Sequence, residues 1–523
     1  MRSTPHPALV FAAIFIAIFL LHAPLLELPY FWDEAGYYVP AARDLLLTGS
    51  LIPHTTVSNA HPPLVIAWLA LWWKCFGFAP LVSRSAMLVI SAFSLLGIFR
   101  LAERVANVEV AVASTACTAL YPVFFAQSSM AQVDLAAAGL TFWALLAYVE
   151  NRRLAMAGWF SLAVLAKETA ILAPVALAAW EFFCLVAPEH WRRRLWDATH
   201  ERSWRCVLCL LIPLLLLGGW YSFHFARTGY VFGNPEFFRY NVASTLNPLR
   251  FVLALALRLW QTFGYLHLWL LTFTMSLAML LPPLRDKGVE RSRIPIPVEI
   301  VFLVVVAAYV VAMALIGGAV LARYMLPAVP LVIMVAVSTL RRRVRYWLAI
   351  VGVIAVTFVI AWFHNPPYGF SPEDNLAYRD YVILHEDAER FLEARYPMAH
   401  VLTAWPASDE LTRPWLGYTT RPVQVVRIED FSLEQVLSAA DFRSHYEVAL
   451  VFSTKYEPPH SSGDRWRRWT EWKRRFFGFH RDLPPAAAAQ ILGGRIVYSA
   501  ERKGQWVAVI EMERGEILNA GLQ

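Results

Sequence analysis

The octapeptide Phe31-Trp32-Asp33-Glu34-Ala35-Gly36-Tyr37-Tyr38 stands directly after an apolar run, Ala8–Leu26, and ahead of a second that opens at His61-Pro62-Pro63-Leu64. An adjacent acidic pair between aromatic residues, at the depth where a helix leaves a bilayer, is costly unless it is solvated, paired or used. On this reading the apolar runs are membrane spans, and the loop between them, residues 27–64, holds the chemistry. Ala8–Leu26 has no small-residue cleavage site, so it reads as an anchor rather than a removed signal peptide.

Outward from this loop the chain alternates apolar blocks with charged connections. Tyr38–Leu47 has helical spacing, and a place along the membrane surface would leave Arg43 and Asp44 facing water. His61–Phe78 is short and is read as a half-inserted helix or a tilted span. Full spans are expected at Pro80–Leu101, Val110–Gln127, Val133–Val149, Cys206–Phe225, Thr262–Leu281, Val298–Ile316, Tyr324–Leu340 and Tyr346–Phe363. Ala155–Lys167 and Thr169–Val186 read as two short spans that meet at Lys167-Glu168. Trp191–Arg205 is a basic loop, residues 226–258 a second long polar loop, and Arg285–Arg293 a charged one. After residue 363 the composition turns mixed polar, with strand-like runs at His400–Ala404, Val423–Ile428, Glu447–Phe452, Arg495–Ser499 and Trp506–Glu511 and a helix at Asp380–Tyr396. The fold class expected is a polytopic α-helical membrane protein of about eleven transmembrane helices, with a membrane domain over residues 1–363 and a soluble α/β domain over 364–523.

Composition agrees. Of the 523 residues 58% are hydrophobic and only 16% charged, against about 25% charged in a soluble domain. The net charge of +7 does not point to nucleic acid, because the arginines cluster in short loops as topology requires. All five cysteines, Cys75, Cys117, Cys184, Cys206 and Cys209, lie in the membrane half. Cys206-x-x-Cys209 lacks a second ligand pair, so it reads as two buried small hydrophobes rather than a zinc site. Arg-rich loops fall on one side of the membrane, which the positive-inside bias makes cytoplasmic. The loops holding Asp33, Asp134, Lys167 and Arg323, and the tail, then fall together on the outer side.

Moving a sugar from a phosphate-linked donor needs a base for the attacking acceptor and cations for the leaving phosphate. Asp33 and Glu34 are the candidate carboxylates, with Asp33 as base or acceptor-orienting group. His61, Lys167 and Arg323 are the candidate phosphate-binding cations, and Tyr37, Tyr38, Asp134 and Tyr324 the candidate cavity and acceptor residues. Each also has a structural role open to it. Asp33-Glu34 is a solvated loop start, His61 a helix cap, Asp134 an N-cap, Lys167 and Glu168 a pair at a tight turn, Arg323 a snorkelling side chain, and the tyrosines part of an interfacial belt. The shared side and order of these residues carry the functional reading. No spacing demands a metal, so a metal-free site is expected; the alternative ligand set, if the residues converge, is Asp33, Glu34, His61 and Asp134.

Asp33-Glu34 followed by His61-Pro62-Pro63-Leu64 resembles the first external loop of protein O-mannosyltransferases. The wider pattern Asp33-Glu34-x-x-Tyr37, Ala42-Arg43, Thr48-Gly49, Pro62-Pro63-Leu64 is similar to bacterial aminoarabinose transferases. Ala131-Gln132-Val133-Asp134, Leu165-Ala166-Lys167 and Ala322-Arg323-Tyr324-x-Leu326-Pro327 look like later landmarks of the same superfamily. The resemblance covers roughly residues 8–365. It implies a GT-C class membrane glycosyltransferase that uses a polyprenyl-phosphate sugar, in a bacterial inner membrane, with its site on the periplasmic face and a lipid or glycan acceptor of the cell envelope, lipopolysaccharide among them. His61 stands where the aminoarabinose group carries lysine, which counts against an aminoarabinose donor. The large lumenal repeat insertions of the protein O-mannosyltransferases are missing, which counts against a protein acceptor. The other readings are a protein O-glycosyltransferase of the same class and a transporter or flippase of lipid-linked sugars; against the latter, no internal repeat is found and the functional charges lie at one surface. Trp405-Pro406-Ala407-x-x-Glu410-Leu411 in the tail reads as a structured loop that covers the cavity or contacts the acceptor.

Overall fold

The computed structural model describes residues 6–187, 203–233, 247–316, 318–456, 464–477 and 479–513. Two compact units emerge. The first takes the described residues of Met1–Glu27, Tyr37–Asn365 and Glu373–Leu376, and the second those of Leu28–Gly36, Pro366–Pro372 and Ala377–Gln523. The units are interleaved in sequence. A piece of the first loop belongs with the tail, and Glu373–Leu376, beyond the last apolar helix, belongs with the helical unit.

The first unit is helical: α1 Pro7–His22, α2 Val39–Thr48, α3 Leu64–Phe76, α4 Pro80–Val105, α5 Val108–Leu120, α6 Pro122–Gln127, α7 Asp134–Val149, α8 Arg153–Ala166, α9 Leu172–Val186, α10 Trp204–Thr228, α11 Pro248–Phe263, α12 Leu268–Ala278, α13 Ile296–Leu315, α14 Val329–Arg343 and α15 Trp347–Phe363. Among the described residues six helical stretches are long and apolar enough to cross a membrane: Pro7–Leu25, Pro80–Val105, Glu168–Val186, Trp204–Thr228, Pro248–Ala278 and Ile296–Leu315. Shorter apolar helices accompany them. The 13 residues of α3 reach only about 20 Å, less than the ~30 Å of a hydrocarbon core.

Local chemistry sets the breaks. The expected span Val110–Gln127 divides at Tyr121, whose extended backbone precedes Pro122, as the residue before a proline prefers. Asn107 caps α5 by accepting from Val110 N at 3.1 Å. Helix α2 ends on Gly49 at φ +72°. Asp44 does not face water. It is buried and its Oδ2 accepts from His54 N at 2.6 Å and Thr55 N at 2.7 Å, because the following loop folds back and needs acceptors for its buried amides.

The polar loop expected over 226–258 is a loop only in part. Its residues 234–246 lie outside the described residues, as do 191–202 of the basic loop. From Pro248 the chain is helical, capped by Asn247, which accepts from Leu249 N at 3.0 Å. Two arginines recur there at helical spacing. Arg250, Ala254, Arg258 and Gln261 form one buried face of α11.

Helices α4 and α7 pack closely where small residues meet. A Cβ at Gly139 would lie 1.8 Å from Ser94 Oγ and 3.0 Å from Ser94 Cα, and Trp143 Nε1 donates to Phe93 O at 3.0 Å beside it.

The second unit is built on a five-stranded sheet: β3 His400–Ala404, β4 Gln424–Ile428, β5 Val448–Phe452, β6 Gly494–Arg502 and β7 Gln505–Met512, following the small β1–β2 hairpin, Arg285–Asp286 with Val289–Glu290, of the first unit. The spatial order is β4-β3-β5-β7-β6. Strand β3 runs parallel to β4 and β5, and β7 antiparallel to β5 and β6. Every residue of β5 is buried, as a central strand covered on both faces requires. Helix α16, Ala377–Arg395, lies on β6 and β7 with Tyr378, Tyr381, Val382, His385, Ala388, Glu389 and Leu392 on its buried face.

The contact between α4 and α7 makes a direct prediction. Gly139→Ala inserts a methyl group into occupied space and lowers stability by about 1–3 kcal/mol. Thermal unfolding of the purified protein in detergent reads this as a lower midpoint, with partial recovery when Ser94→Gly is added.

Candidate active site

In the first unit the break between α6 and α7 brings polar side chains into the helical core. Asp134 is the first residue of α7, a position where a carboxylate also meets the helix dipole favourably. Its Oδ1 pairs with Lys167 Nζ, and its Oδ2 lies 3.4 Å from Arg323 Nε. Arg323 Nη1 donates to Gln132 Oε1 at 2.6 Å and pairs with Glu373 Oε2. Gln132 Nε2 donates to the same Glu373 oxygen at 3.3 Å, and Gln127 Nε2 to the Glu373 carbonyl at 3.3 Å. All these side chains are buried. Two cations and two carboxylates thus balance in a place where an isolated charge would be prohibitive.

A third cation joins them. Tyr324 presents its ring to Lys167 Nζ at 4.1 Å, to Arg258 Cζ at 5.4 Å and to Arg323 Cζ at 5.7 Å, within cation–π range. Arg258 is fully buried. Its guanidinium donates to Gln261 Oε1 at 2.8 Å and to the carbonyls of Leu321 at 2.7 Å and Met313 at 3.2 Å. Among the described residues no carboxylate lies within 4.0 Å of it. Lys167 and Arg323 are neutralised by neighbours, whereas Arg258 is held by neutral acceptors.

His61 stands beside this group in the same unit. Its Nδ1 lies 3.0 Å from Glu168 Oε2, and the rings of Tyr37 and Tyr38 flank it at 5.6 and 5.7 Å. Lys167 and Glu168 therefore do not pair with each other at their turn. Each engages a different partner, because α8 ends at Ala166 and the extended Lys167 separates the two side chains. Burial pushes the Tyr37 hydroxyl up to about 12, so it stays protonated across the physiological range. Ser58 Oγ lies 2.8 Å from His224 Nε2, and Trp220 Nε1 donates to Ala60 O at 2.8 Å, which fixes the approach to His61.

In the second unit Phe31 meets Tyr381 edge-on at 5.2 Å and Trp32 meets Trp405 at 5.0 Å. Tyr418 OH donates to Tyr30 O at 3.0 Å. Glu34 is fully buried and its Oε2 accepts from Phe31 N at 2.9 Å, which makes it a structural carboxylate, whereas Asp33 is half-buried. Glu34–Tyr38 is a single π-helical turn, a geometry frequent at functional sites. Gly36 is required by packing, since a Cβ there would lie 2.6 Å from the Trp405 ring.

The structure thus joins Asp134, Lys167, Arg323 and Tyr324 directly and sets His61 with Tyr37 and Tyr38. It adds Gln132, Arg258 and Glu373, which the reading of candidate residues omitted. The acidic pair Glu373-Asp374 was legible as charge just after the last apolar run, and Arg258 as a cation recurring at helical spacing with Arg250. Neither His61 nor Asp134 belongs to a group of three or more His, Cys, Asp or Glu side chains close enough to share an ion; among the described residues one such group exists, in the second unit.

The architecture is similar to that of solved membrane glycosyltransferases. Residues 60–217 match the model of the dolichyl-phosphate-mannose-protein mannosyltransferase family, a segment that contains His61, Asp134 and Lys167. The crystal structure of ArnT from Cupriavidus metallidurans bound to undecaprenyl phosphate is similar with a TM-score of 0.55 at 13% identity, covering 99% of this chain and 99% of that one. The apo state of the same protein gives 0.53 at 14% identity, covering 96% and 97%. The oligosaccharyltransferase of Archaeoglobus fulgidus, in complex with Zn and sulfate, gives 0.47 at 12% identity over 86% of this chain and 68% of that one. No curated protein matches the chain.

Asp134→Asn leaves buried cations in excess. It is expected to cost about 3–5 kcal/mol, measured by denaturant or thermal unfolding in detergent. Lys167→Met added to it restores part of the loss, so the two substitutions are strongly non-additive.

Proposed function

We propose that this protein transfers a sugar from a polyprenyl-phosphate donor to a lipid or glycan acceptor, on the periplasmic face of a bacterial inner membrane. The carrying observation is the convergence of Lys167, Arg258 and Arg323 on the Tyr324 ring, with Arg258 in no ion pair with a described carboxylate and held by Gln261 and backbone carbonyls. A monoanionic or dianionic phosphate group is the natural partner for such a cation. Support comes from the fold shared with ArnT, whose structure holds undecaprenyl phosphate.

In the proposed reaction the acceptor hydroxyl attacks the anomeric carbon and its proton passes to a carboxylate, for which Asp33 is the candidate that the sequence offers. The bond from the anomeric carbon to the phosphate oxygen breaks, and its electron pair stays on the polyprenyl phosphate. Arg258, with Lys167 and Arg323, stabilises the charge that grows on that oxygen. His61, set against Glu168, and the tyrosines Tyr37 and Tyr38 line the donor side. This step is written without a metal. The residues 364–523 are proposed to lie on the same periplasmic side.

A protein acceptor is the second reading, favoured by the mannosyltransferase family model that matches residues 60–217.

The test is purified full-length protein in nanodiscs with a panel of polyprenyl-phosphate sugars, following release of polyprenyl phosphate with lipid, glycan or peptide acceptors. Asp33→Asn is expected to lower kcat about 10²–10⁴-fold with the protein still folded; undiminished transfer overturns its role. Arg258→Met is expected to weaken binding of polyprenyl phosphate about 10–100-fold, as loss of charge-assisted hydrogen bonds implies. Unchanged affinity removes Arg258 from the donor site.

A further inference from the structure

The second unit contains a buried group that the transfer chemistry does not use. His385 and Glu389 lie one turn apart on the inner face of α16, and Glu410 comes from the Trp405-Pro406-Ala407-x-x-Glu410-Leu411 stretch, which forms the short helix Ala407–Thr412 after β3. All three side chains are fully buried, with relative exposures of 0–1%. One ligand atom from each lies within 4.8 Å of the others. His385 Nδ1 is 2.7 Å from Glu410 Oε2 and 3.8 Å from Glu389 Oε1.

The group is incomplete as it stands. Both Glu389 oxygens, Glu410 Oε1 and His385 Nε2 are buried without a hydrogen-bond partner. Two adjacent carboxylates in an apolar interior demand a positive charge between them or a shared proton. Among the described residues no lysine or arginine lies within 4.0 Å of either carboxylate, and His385 alone faces them. The Tyr381 ring stacks on His385 at 3.9 Å and Phe452 meets it edge-on at 4.5 Å.

We propose that His385, Glu389 and Glu410 bind a divalent transition-metal ion of the zinc type. One imidazole and two carboxylates form a nitrogen–oxygen set suited to zinc, iron or manganese rather than to calcium. A tetrahedral zinc site with bonds near 2.1 Å spaces its ligand atoms about 3.4 Å apart, and the observed 2.7 and 3.8 Å separations bracket that value. The aromatic walls and the absence of exposure give the ion a structural role. It ties α16 to the Trp405-Pro406 stretch, and so to the part of the unit where Trp32 packs on Trp405.

The experiment uses the full-length, tag-free protein in detergent. It is stripped with chelator, incubated with excess zinc chloride, desalted and assayed by plasma mass spectrometry. The wild type is expected to retain about one zinc per chain, held by three protein ligands with a fourth position left to water, and Glu389→Gln and His385→Ala to fall to background. Cobalt added to stripped wild type should give visible d–d absorption that Glu389→Gln abolishes, which keeps the test decisive if His385→Ala fails to fold. Background zinc in the wild type, or equal zinc in wild type and Glu389→Gln, overturns the proposal and leaves a shared proton as the occupant. Neither result depends on sugar transfer.

Discussion

The helical unit depends on a balance of buried charge. Asp134, Lys167, Arg323 and Glu373 come from four separate places in the chain and meet where little water reaches. Remove any one and another is left uncompensated in a medium that penalises it heavily. Breaks at Tyr121-Pro122 and at Lys167 are part of the same device, because a continuous helix would hold these side chains away from the common centre.

Arg258 changes the meaning of that balance. A quartet that cancels itself stabilises a fold, whereas the additional guanidinium near the same tyrosine ring is a cation that no described carboxylate pairs with. Its neutral acceptors satisfy its hydrogen bonds without cancelling its charge. Rigid presentation of cations costs no reorganisation when an anionic group arrives, which is the property that leaving-group stabilisation requires.

Much of this was legible in the sequence, for definite reasons. Apolar runs such as Pro80–Val105 and Ile296–Leu315 are long and interrupted by few charges, so their helices were visible. The strand runs in the tail were marked by β-branched and aromatic residues, and β5 by an unbroken apolar stretch. Asp134, Lys167, Arg323 and Tyr324 stood out as charge or aromatic groups at the ends of apolar blocks. Arg258 did not, because a single sequence gives a charged helix face and a polar loop nearly the same composition. Asp44 was misread as solvent-facing, since nothing local reveals that the chain ten residues on will return to it. Glu373 was assigned to the tail because composition changes before it, while its packing is settled by Gln127, Gln132 and Arg323, which lie far away in the sequence.

The interleaving of the two units has a practical side. Leu28–Gly36 packs with residues from the tail, and Glu373–Leu376 with the helices, so the chain crosses between units several times. No single cut separates two self-sufficient pieces. Ending the chain near residue 364 would strip Phe31 and Trp32 of their aromatic neighbours and Arg323 of an acid partner in one stroke. Domain dissection in this protein therefore calls for co-expression of fragments or grafted linkers rather than simple truncation.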